Sequence, residues 1–350
     1  MKEVIIIGAG LSGLTIAFLL KKQNIPFFIL EAQPAIGGRI DTQKGQTGVP
    51  IDLGATWFGD QHTQLLELIS ELKLNRFYQH TAGKAIFQTH SFQPPQVFEV
   101  PKGEQSSYRL EGGTMALITK LAHEIDEENI LTNRKITQIT EQDNSLQLTD
   151  VTGTKYTAQK IITTLPPAVL NHSIQFEPAL PEGLQQLLPR VQTWMNGSIK
   201  FALEYEEPFW LNHGFSGTLF SQSSLAVEVY DHSNAENNRF SLMGFLNESA
   251  TNYSKEQRAA MVTAQMKELF GAIATPPMAY HEKIWNSEFV TSPAAMPLTA
   301  HQNNGHGLLQ KAWMNEKLYF AGTETAAIHP GYMEGAVQSA YRVVKQIAAS

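Results

Sequence analysis

Gly8-Ala9-Gly10-Leu11-Ser12-Gly13 follows directly on the β-branched run Val4–Ile7. Leu14, Ala17, Phe18 and Leu20 then recur at helical spacing, and a second apolar run from Ile25 to Leu30 ends on Glu31. Strand, glycine loop, helix, strand and acid, with the acid 23 positions after the first glycine, is the order of a βαβ unit that cradles a dinucleotide. Each part has a physical task. Gly8 permits the tight turn, Gly10 lets the backbone approach a pyrophosphate, and Gly13 lets helix and strand pack closely. The helix N-terminus offers free N–H groups and a positive dipole end to phosphates. Glu31 accepts hydrogen bonds from ribose hydroxyls, and its charge repels a 2′-phosphate. A glycine triplet alone is a weak signal; in its full βαβ context it predicts bound FAD or NAD.

Composition narrows the remaining classes. At roughly 100–200 residues per domain, 350 residues make about two domains. With 42% hydrophobic and 17% charged residues the chain is not disordered. The net charge of −7, with no Lys/Arg cluster along the chain, argues against nucleic acid or an anionic membrane as partner. The chain has no cysteine, which excludes a disulfide framework, a zinc-thiolate site, a thiol nucleophile and a cofactor tethered through sulfur. No uninterrupted apolar run reaches about 18 residues, so no membrane span is expected. The first twenty residues lack an A-x-A cleavage site, and Gly8, Gly10 and Gly13 interrupt them; they read as mature protein rather than a signal peptide, and a cytoplasmic location follows as the expectation.

Further motifs choose FAD over NAD. Glu31-Ala32 leads through Gln33-Pro34-Ala35-Ile36 to Gly37-Gly38-Arg39, where the glycines allow close passage to a cofactor and Arg39 neutralises diphosphate. Asp52-Leu53-Gly54-Ala55-Thr56-Trp57 is another glycine turn carrying an aromatic residue. Towards the C-terminus stand Tyr319-Phe320-Ala321-Gly322-Thr323-Glu324-Thr325 and Pro330-Gly331-Tyr332-Met333-Glu334-Gly335-Ala336-Val337. On these segments the sequence resembles the flavin-containing amine oxidases, the monoamine and polyamine oxidase family, from Met1 to Ser350 with one large gap. The resemblance implies a fold of α/β class: a FAD-binding Rossmann-like domain of glutathione-reductase type with a second, smaller α+β substrate domain. It implies that Ser12, Glu31, Ala32 and Arg39 hold the ADP half of FAD, and that Ile136 meets the adenine through its backbone. Glu324 is implied near the ribityl and phosphate groups, and the helix opened by Gly331-Tyr332-Met333 points its N-terminus at the flavin pyrimidine edge, favouring negative charge on the reduced ring.

Because the two sets of cofactor motifs lie at opposite ends, the FAD domain must be discontinuous. We expect it to comprise residues 1–76, 115–189 and 288–350, with a substrate domain of residues 77–114 and 190–287. Asp60 is a candidate cap for a helix carrying Leu65, Leu66, Leu68, Ile69 and Leu72. The Pro/Gln/Ser-rich stretch from Ser91 to Ser107 reads as a crossing or loop. Gly112-Gly113-Thr114 starts a helix with Leu117, Ile118, Leu121 and Ile125 on one face, and strands are expected at Ile136–Thr140, Leu146–Thr149 and Lys160–Thr164. Phe201–Tyr230 and Phe240–Leu246 read as strands of a second sheet. Tyr253–Phe270 reads as a helix with Ala260, Met261, Ala264, Met266 and Leu269 apolar, and the last helix runs from Met333 to about Ile347. No internal repeat is present. Between Val97 and Ser107, where the resemblance implies that larger family members insert a helical subdomain over the substrate entrance, this chain has about ten residues of loop, and no membrane-anchoring tail is expected after the last helix.

Period-two alternation places Ile199, Phe201, Leu203 and Tyr205 on one face of a strand and Lys200, Ala202 and Glu204 on the other, where a solvated lysine is the plain reading. The resemblance implies otherwise: the family's I-K…E-P-F-W segment carries the lysine that holds a water at flavin N5. Tyr332 is implied as one wall of an aromatic cage that positions the amine nitrogen. The second wall, a tyrosine preceded by a flavin-bonding cysteine in monoamine oxidases, falls here on Ala294 and Ala295. The FAD is therefore expected to be noncovalent, with Trp57, Phe289 or Trp285 as substitutes for the wall. His62, His301 and His306 match no metal-ligand spacing, so no metal is expected, and only His62 follows a cofactor motif closely enough to line a pocket. Gly214-Phe215-Ser216-Gly217 is not a nucleophile elbow, its second glycine coming one position early.

The expected function is FAD-dependent oxidation of a small-molecule amine. A C–H beside an unprotonated nitrogen gives a hydride to flavin N5, the imine hydrolyses to a carbonyl, and oxygen reoxidises the flavin to form hydrogen peroxide. Three alternatives stay open on the sequence: a renalase-like oxidase of dihydronicotinamides, a desaturase or isomerase of the same superfamily, and a noncatalytic flavin-binding module.

Overall fold

The computed structural model describes residues 2–100, 106–285 and 298–349. β1 (Lys2–Ile7) leads into α1 (Leu11–Lys22) and β2 (Phe27–Leu30). β1 lies between β2 and the Lys155–Thr163 strand, parallel to both. Ile130–Leu131 extends the parallel order beside β2, and Leu318–Phe320 extends it on the far side of Lys155–Thr163. With β1 on one edge, that nine-residue strand is long enough to serve two partners on the other. Its first half pairs antiparallel with Ser145–Asp150 and its second half parallel with Leu318–Phe320. Ser145–Asp150 continues to Ile136–Gln142 and the short Gln175–Glu177, completing eight strands.

Strands covered on both faces need continuous apolar sequence, and Val4, Ile6 and Ile29 are fully buried. Two further helices, α2 (Thr63–Glu71) and α3 (Met115–Glu124), share a core with α1 and the C-terminal helix Met333–Ala349. Leu14, Ile16 and Leu20 of α1 meet Leu117, Ile118, Leu121, Val337 and Ala340 there. This is why α1 reads as apolar all round. Residues from the two ends of the chain thus close one layer over the same sheet.

The second sheet has seven strands in the order Ala279–Trp285, Ser198–Tyr205, Phe240–Leu246, Ala226–Asp231, Phe215–Ser221, Lys84–Gln88, Gln96–Glu99. One face carries Phe201, Leu203 and Val229 against Val262 and Met266 of the Lys255–Phe270 helix. The opposite face turns to a hairpin of β3 (Thr42–Lys44) and β4 (Pro50–Asp52), where Ala202 and Met243 pack on Val49, Ile51 and Leu53. Lys200 and Glu204 share that inner face with Ala202, so the solvated reading from alternation is overturned: they are 1% and 0% exposed. Glu204 holds the hairpin turn, accepting from the N–H groups of Gln46 (2.9 Å) and Thr47 (3.0 Å).

Three local expectations change for identifiable reasons. Asp60 does not cap α2; it accepts the Tyr108 hydroxyl at 2.7 Å, and the buried Glu334 takes the N–H groups of Gln64 and Leu65 instead. The stretch read as loop contains the exposed edge strand Gln96–Glu99, whose prolines precede the first paired residue and so remove no ladder donor. The Lys255–Phe270 helix starts from a Ser254–Gln257 capping box, and its phase differs from the apolar pattern. Arg258 and Gln265 occupy its buried face while Met261 is exposed, because Arg258 pairs twice with Glu282 (2.8 and 2.5 Å) and Gln265 bonds both the N–H and the C=O of Ala226.

Candidate active site

The glycine loop between β1 and α1 has the geometry its residues demand. Gly8 sits at φ +106°, and a Cβ on Gly13 would lie 2.0 Å from the Gly8 carbonyl oxygen, so only glycine fits at Gly13. Gly10 differs: it is extended, and a Cβ there would meet nothing closer than the Gly38 Cα at 3.7 Å. Gly37 donates its N–H to Ala9 (2.9 Å), so the two glycine loops run side by side along one crevice. No side chain caps the start of α1, whose first N–H groups remain available. Glu31 is nearly buried and accepts from the N–H groups of Ala9 (2.7 Å) and Gln33 (2.8 Å). Burial raises its pKa, and those N–H groups oppose the rise. Ala32 is exposed beside it. The Arg134 N–H bonds the Glu31 carbonyl at 2.8 Å, which brings Ile136, two residues on, to the same end of the sheet.

Arg39 and Glu324, 285 positions apart, form a bidentate pair at 2.6 and 3.0 Å. Glu324 is fully buried, and Arg39 also reaches the Trp194 carbonyl at 3.3 Å. Gly322, at φ +99°, donates its N–H to the hydroxyls of both Ser12 (3.1 Å) and Ser339 (3.0 Å). The Ser12 hydroxyl thus ties the glycine loop to the Gly322 segment and the C-terminal helix, and its backbone N–H is what it adds to the helix start. Replacing Arg39 by Met strands the buried carboxylate. We expect a loss of about 3 kcal/mol in urea unfolding of the apoprotein, with Arg39→Met/Glu324→Gln recovering most of it. Equal losses in the single and double variants would show that the pair does not carry this stability.

Lys200 stands where the seven-stranded sheet meets the segment that follows the β3–β4 hairpin. Its ammonium donates to the Gly54 carbonyl (2.8 Å) and the Thr56 hydroxyl (2.5 Å), and lies 4.9 Å over the Trp57 ring and 5.5 Å over Phe245. Burial lowers its pKa to about 7, with Asp52 opposing and Arg109 assisting. Gly54 crosses so close to the Arg39–Asp41 backbone that a Cβ would fall 2.3 Å from the Arg39 oxygen. Half-buried Ala55 follows it, and the Trp57 indole donates to Gln79 (2.9 Å) with its edge against Tyr230.

Behind Lys200 lies a buried set of groups that sequence reasoning missed. Asp52 accepts from the Thr42 hydroxyl (2.5 Å) and the Thr114 N–H (2.9 Å), and burial raises its pKa. The Arg109 guanidinium meets His232 Nδ1 at 2.9 Å, and burial holds that imidazole neutral. Asp52 lies in a motif already noticed; neither Arg109 nor His232 carried any local signal.

Tyr332 is 47% exposed at the start of the C-terminal helix, just before the buried Met333. Its ring stands among His62 (5.6 Å), His301 (6.0 Å, nearly parallel) and His329 (6.3 Å), and Trp194 stacks on the far side of His301 at 5.3 Å. A Cβ on Gly331, at φ +85°, would press on His301 at 2.9 Å. His62 is buried, and its pKa is lowered by burial and by His329. Of the residues named for the second wall, Phe289, Ala294 and Ala295 lie outside the described residues. Trp285 is buried and donates to the Leu53 carbonyl, and Trp57 packs beside Lys200. His301 is what stacks on Tyr332, with Trp194 stacked in turn on His301, and neither was chosen from the sequence. His306 caps Leu308. Among the described residues no group of three or more His, Asp or Glu suits a metal ion, and no helix is long and apolar enough to cross a membrane.

The open space at Gly10, the uncapped start of α1, the buried Glu31 and the anchored Arg39 fit a dinucleotide. The profile of the flavin containing amine oxidoreductase family matches residues 11–93 and 87–348. A probable flavin-containing monoamine oxidase A of Dictyostelium discoideum is 24% identical over 99% of this chain and 97% of its own length. The human flavin-containing amine oxidase B is 24% identical over 99% of this chain and 86% of its own. Among solved structures, a putrescine oxidase with putrescine bound superposes with a TM-score of 0.85 at 20% identity over all of this chain and 99% of that one. Cyclohexylamine oxidase from Brevibacterium oxydans gives 0.86 at 21% over 99% of each. These two likenesses establish the fold, and the profile match establishes the family. The chain belongs to the flavin-containing amine oxidoreductases and is an FAD-dependent enzyme.

Proposed function

We propose that the enzyme oxidises a small-molecule amine to an imine and returns the electrons to oxygen. The observation that carries this reading is the buried Lys200, held by a carbonyl and a hydroxyl beside Trp57 in the Gly54–Trp57 turn. Residues 1–76, 115–189 and 288–350 would form the cofactor unit, and residues 77–114 and 190–287 the substrate unit. The separation of the described strands into two large sheets supports that division. The residues that would hold FAD are Gly8, Gly10, Ser12, Gly13, Glu31, Ala32, Gly38, Arg39, Gly54, Ala55, Thr56, Trp57, Ile136, Gly322, Glu324, Gly331 and Met333. With no cysteine in the chain, a thioether to the flavin is excluded and the binding is noncovalent. Bound FAD supplies a two-electron acceptor that takes hydride and passes its electrons to oxygen.

The protein's own part is orientation and electrostatics. In the substrate, the C–H hydrogen leaves with its electron pair, the nitrogen lone pair becomes the C=N bond, and water hydrolyses the imine to a carbonyl. The exposed face of Tyr332 orients the amine nitrogen. Lys200 places a cationic donor where a water or an oxygen-derived anion is held. His62 stays neutral and adds no charge against an approaching amine.

The Tyr332 hydroxyl makes no hydrogen bond among the described residues, so the ring alone is the working part. Tyr332→Phe should retain near wild-type kcat/KM for the amine, while Tyr332→Ala should lose about 30-fold with FAD content unchanged. Amine-dependent oxygen consumption with equimolar peroxide release tests the function as a whole. Equal activity in all three proteins would remove Tyr332 from the site.

A further inference from the structure

A second recess of about 800 Å³ lies outside this crevice, within the ~300–1,000 Å³ range of small-molecule sites. The β3–β4 hairpin, α3 and the loop 234–239 form its walls. The loop Gly8–Gly13, Glu31, Arg39, Lys200 and Tyr332 take no part in it.

Its charge runs against that of the chain. The protein carries −7 overall, yet the recess is lined by the cations Lys44, Lys120, Arg239 and Arg109 against two lining carboxylates, Asp52 and Glu236; Lys120 pairs with Glu124 (2.8 Å) and Arg109 lies 4.0 Å from Asp231, which leaves Lys44 and Arg239 as the excess. Asp52 is 2% exposed and already committed to Thr42 and Thr114. Lys44 and Arg239 are exposed, and no carboxylate pairs with either among the described residues. Arg109 is 4% exposed, stacks 4.7 Å over Phe77, bonds His232 and the Ser233 carbonyl, and leaves its Nε without a partner. Leu74, Phe77 and Met115 add apolar surface to the lining.

We propose that this recess binds an organic anion, a carboxylate or phosphate carried on an apolar body, separately from the amine. Its rim repels cationic amines and concentrates anions. Asp52 and Arg109 line it and are otherwise held by protein partners, so Lys44 and Arg239 are the charges left for the anion.

The test is calorimetric titration of the FAD-loaded protein at low salt with phenylacetate and phenyl phosphate, with 2-phenylethanol as the neutral control. The expected result is saturable one-to-one binding of at least one anion and none of the alcohol. Binding should weaken about tenfold in Lys44→Gln/Arg239→Gln, and should weaken again on raising salt to about 0.5 M. Thr119→Trp, which fills the recess, should abolish it. The double variant should keep the wild-type melting temperature and rate of flavin bleaching by amine. If it fails to fold, Thr119→Trp and the salt series decide alone. Absence of saturable binding of either anion, binding unchanged by the substitutions, or displacement of the anion by a substrate amine would each overturn the proposal.

Discussion

Lys200→Met is expected to give a folded, FAD-loaded protein whose amine turnover is lower by about 100-fold or more, the scale of removing one donor aimed at developing charge. Stability should hold, because the substitution removes two hydrogen bonds but also the cost of a buried ammonium. Methionine has similar reach, and Thr56 still donates to the Gly54 carbonyl at 3.1 Å. The pKa of about 7 adds two signed consequences. The ammonium is lost as pH rises through about 7, so reaction of the amine-bleached enzyme with oxygen should slow over that range, while the amine-dependent bleaching step, which needs the free amine, should speed up. Lysine in the unfolded chain titrates near ~10.4, so between about 7 and ~10.4 the unfolded chain binds a proton that the folded one does not. Wild-type stability should therefore gain from Lys200 as pH rises through that window, and Lys200→Met should lack the gain. Unchanged turnover in this variant, with both pH trends intact, would remove Lys200 from the chemistry.

Gly10→Ala is expected to separate cofactor binding from folding. A methyl group there meets nothing of the protein closer than 3.7 Å, and the backbone is extended at φ −79°, so the apoprotein should melt within ~2 °C of wild type. The same methyl occupies the space a pyrophosphate needs for close approach, and FAD affinity should fall by about 100-fold. Gly13→Ala is the contrast. Its methyl would stand 2.0 Å from the Gly8 oxygen, helix and strand must separate, and the cost should exceed ~3 kcal/mol, enough to lose most soluble protein. Fluorescence titration with FAD and thermal melts read both variants. Wild-type FAD affinity in Gly10→Ala would show that the phosphates do not pass Gly10.

What the sequence made legible was whatever is dictated locally. Gly13 answers to the Gly8 carbonyl in the same loop and Gly54 to the Arg39–Asp41 backbone shortly before it, and the apolar face of α3 is visible within one helix. Burial created by a partner distant in the chain was not legible from pattern. Lys200 alternates like a solvent-facing lysine, and only the β3–β4 hairpin, with Gly54 146 positions away, takes it out of water. Arg258 and Gln265 look like surface residues until Glu282 and Ala226 claim them, which is why the apolar pattern gives a different helix phase from the buried face. The meeting of Asp52, Arg109 and His232 draws on three separate segments, and His301 reaches Tyr332 from another, with Trp194 stacked on His301 from yet another. No spacing rule announces such meetings, whereas Arg39 and Glu324 were each marked by a motif before their pairing was seen.

The most direct test of the central claim is anaerobic. The purified FAD-loaded enzyme is mixed with a panel of primary and secondary amines, polyamines, amino acids and dihydronicotinamides while the visible flavin band is followed. Bleaching by an amine class, with recovery of the band and release of peroxide when air is admitted, is the predicted result. Bleaching by dihydronicotinamides alone, or a yellow protein that no amine in the panel reduces, would contradict it.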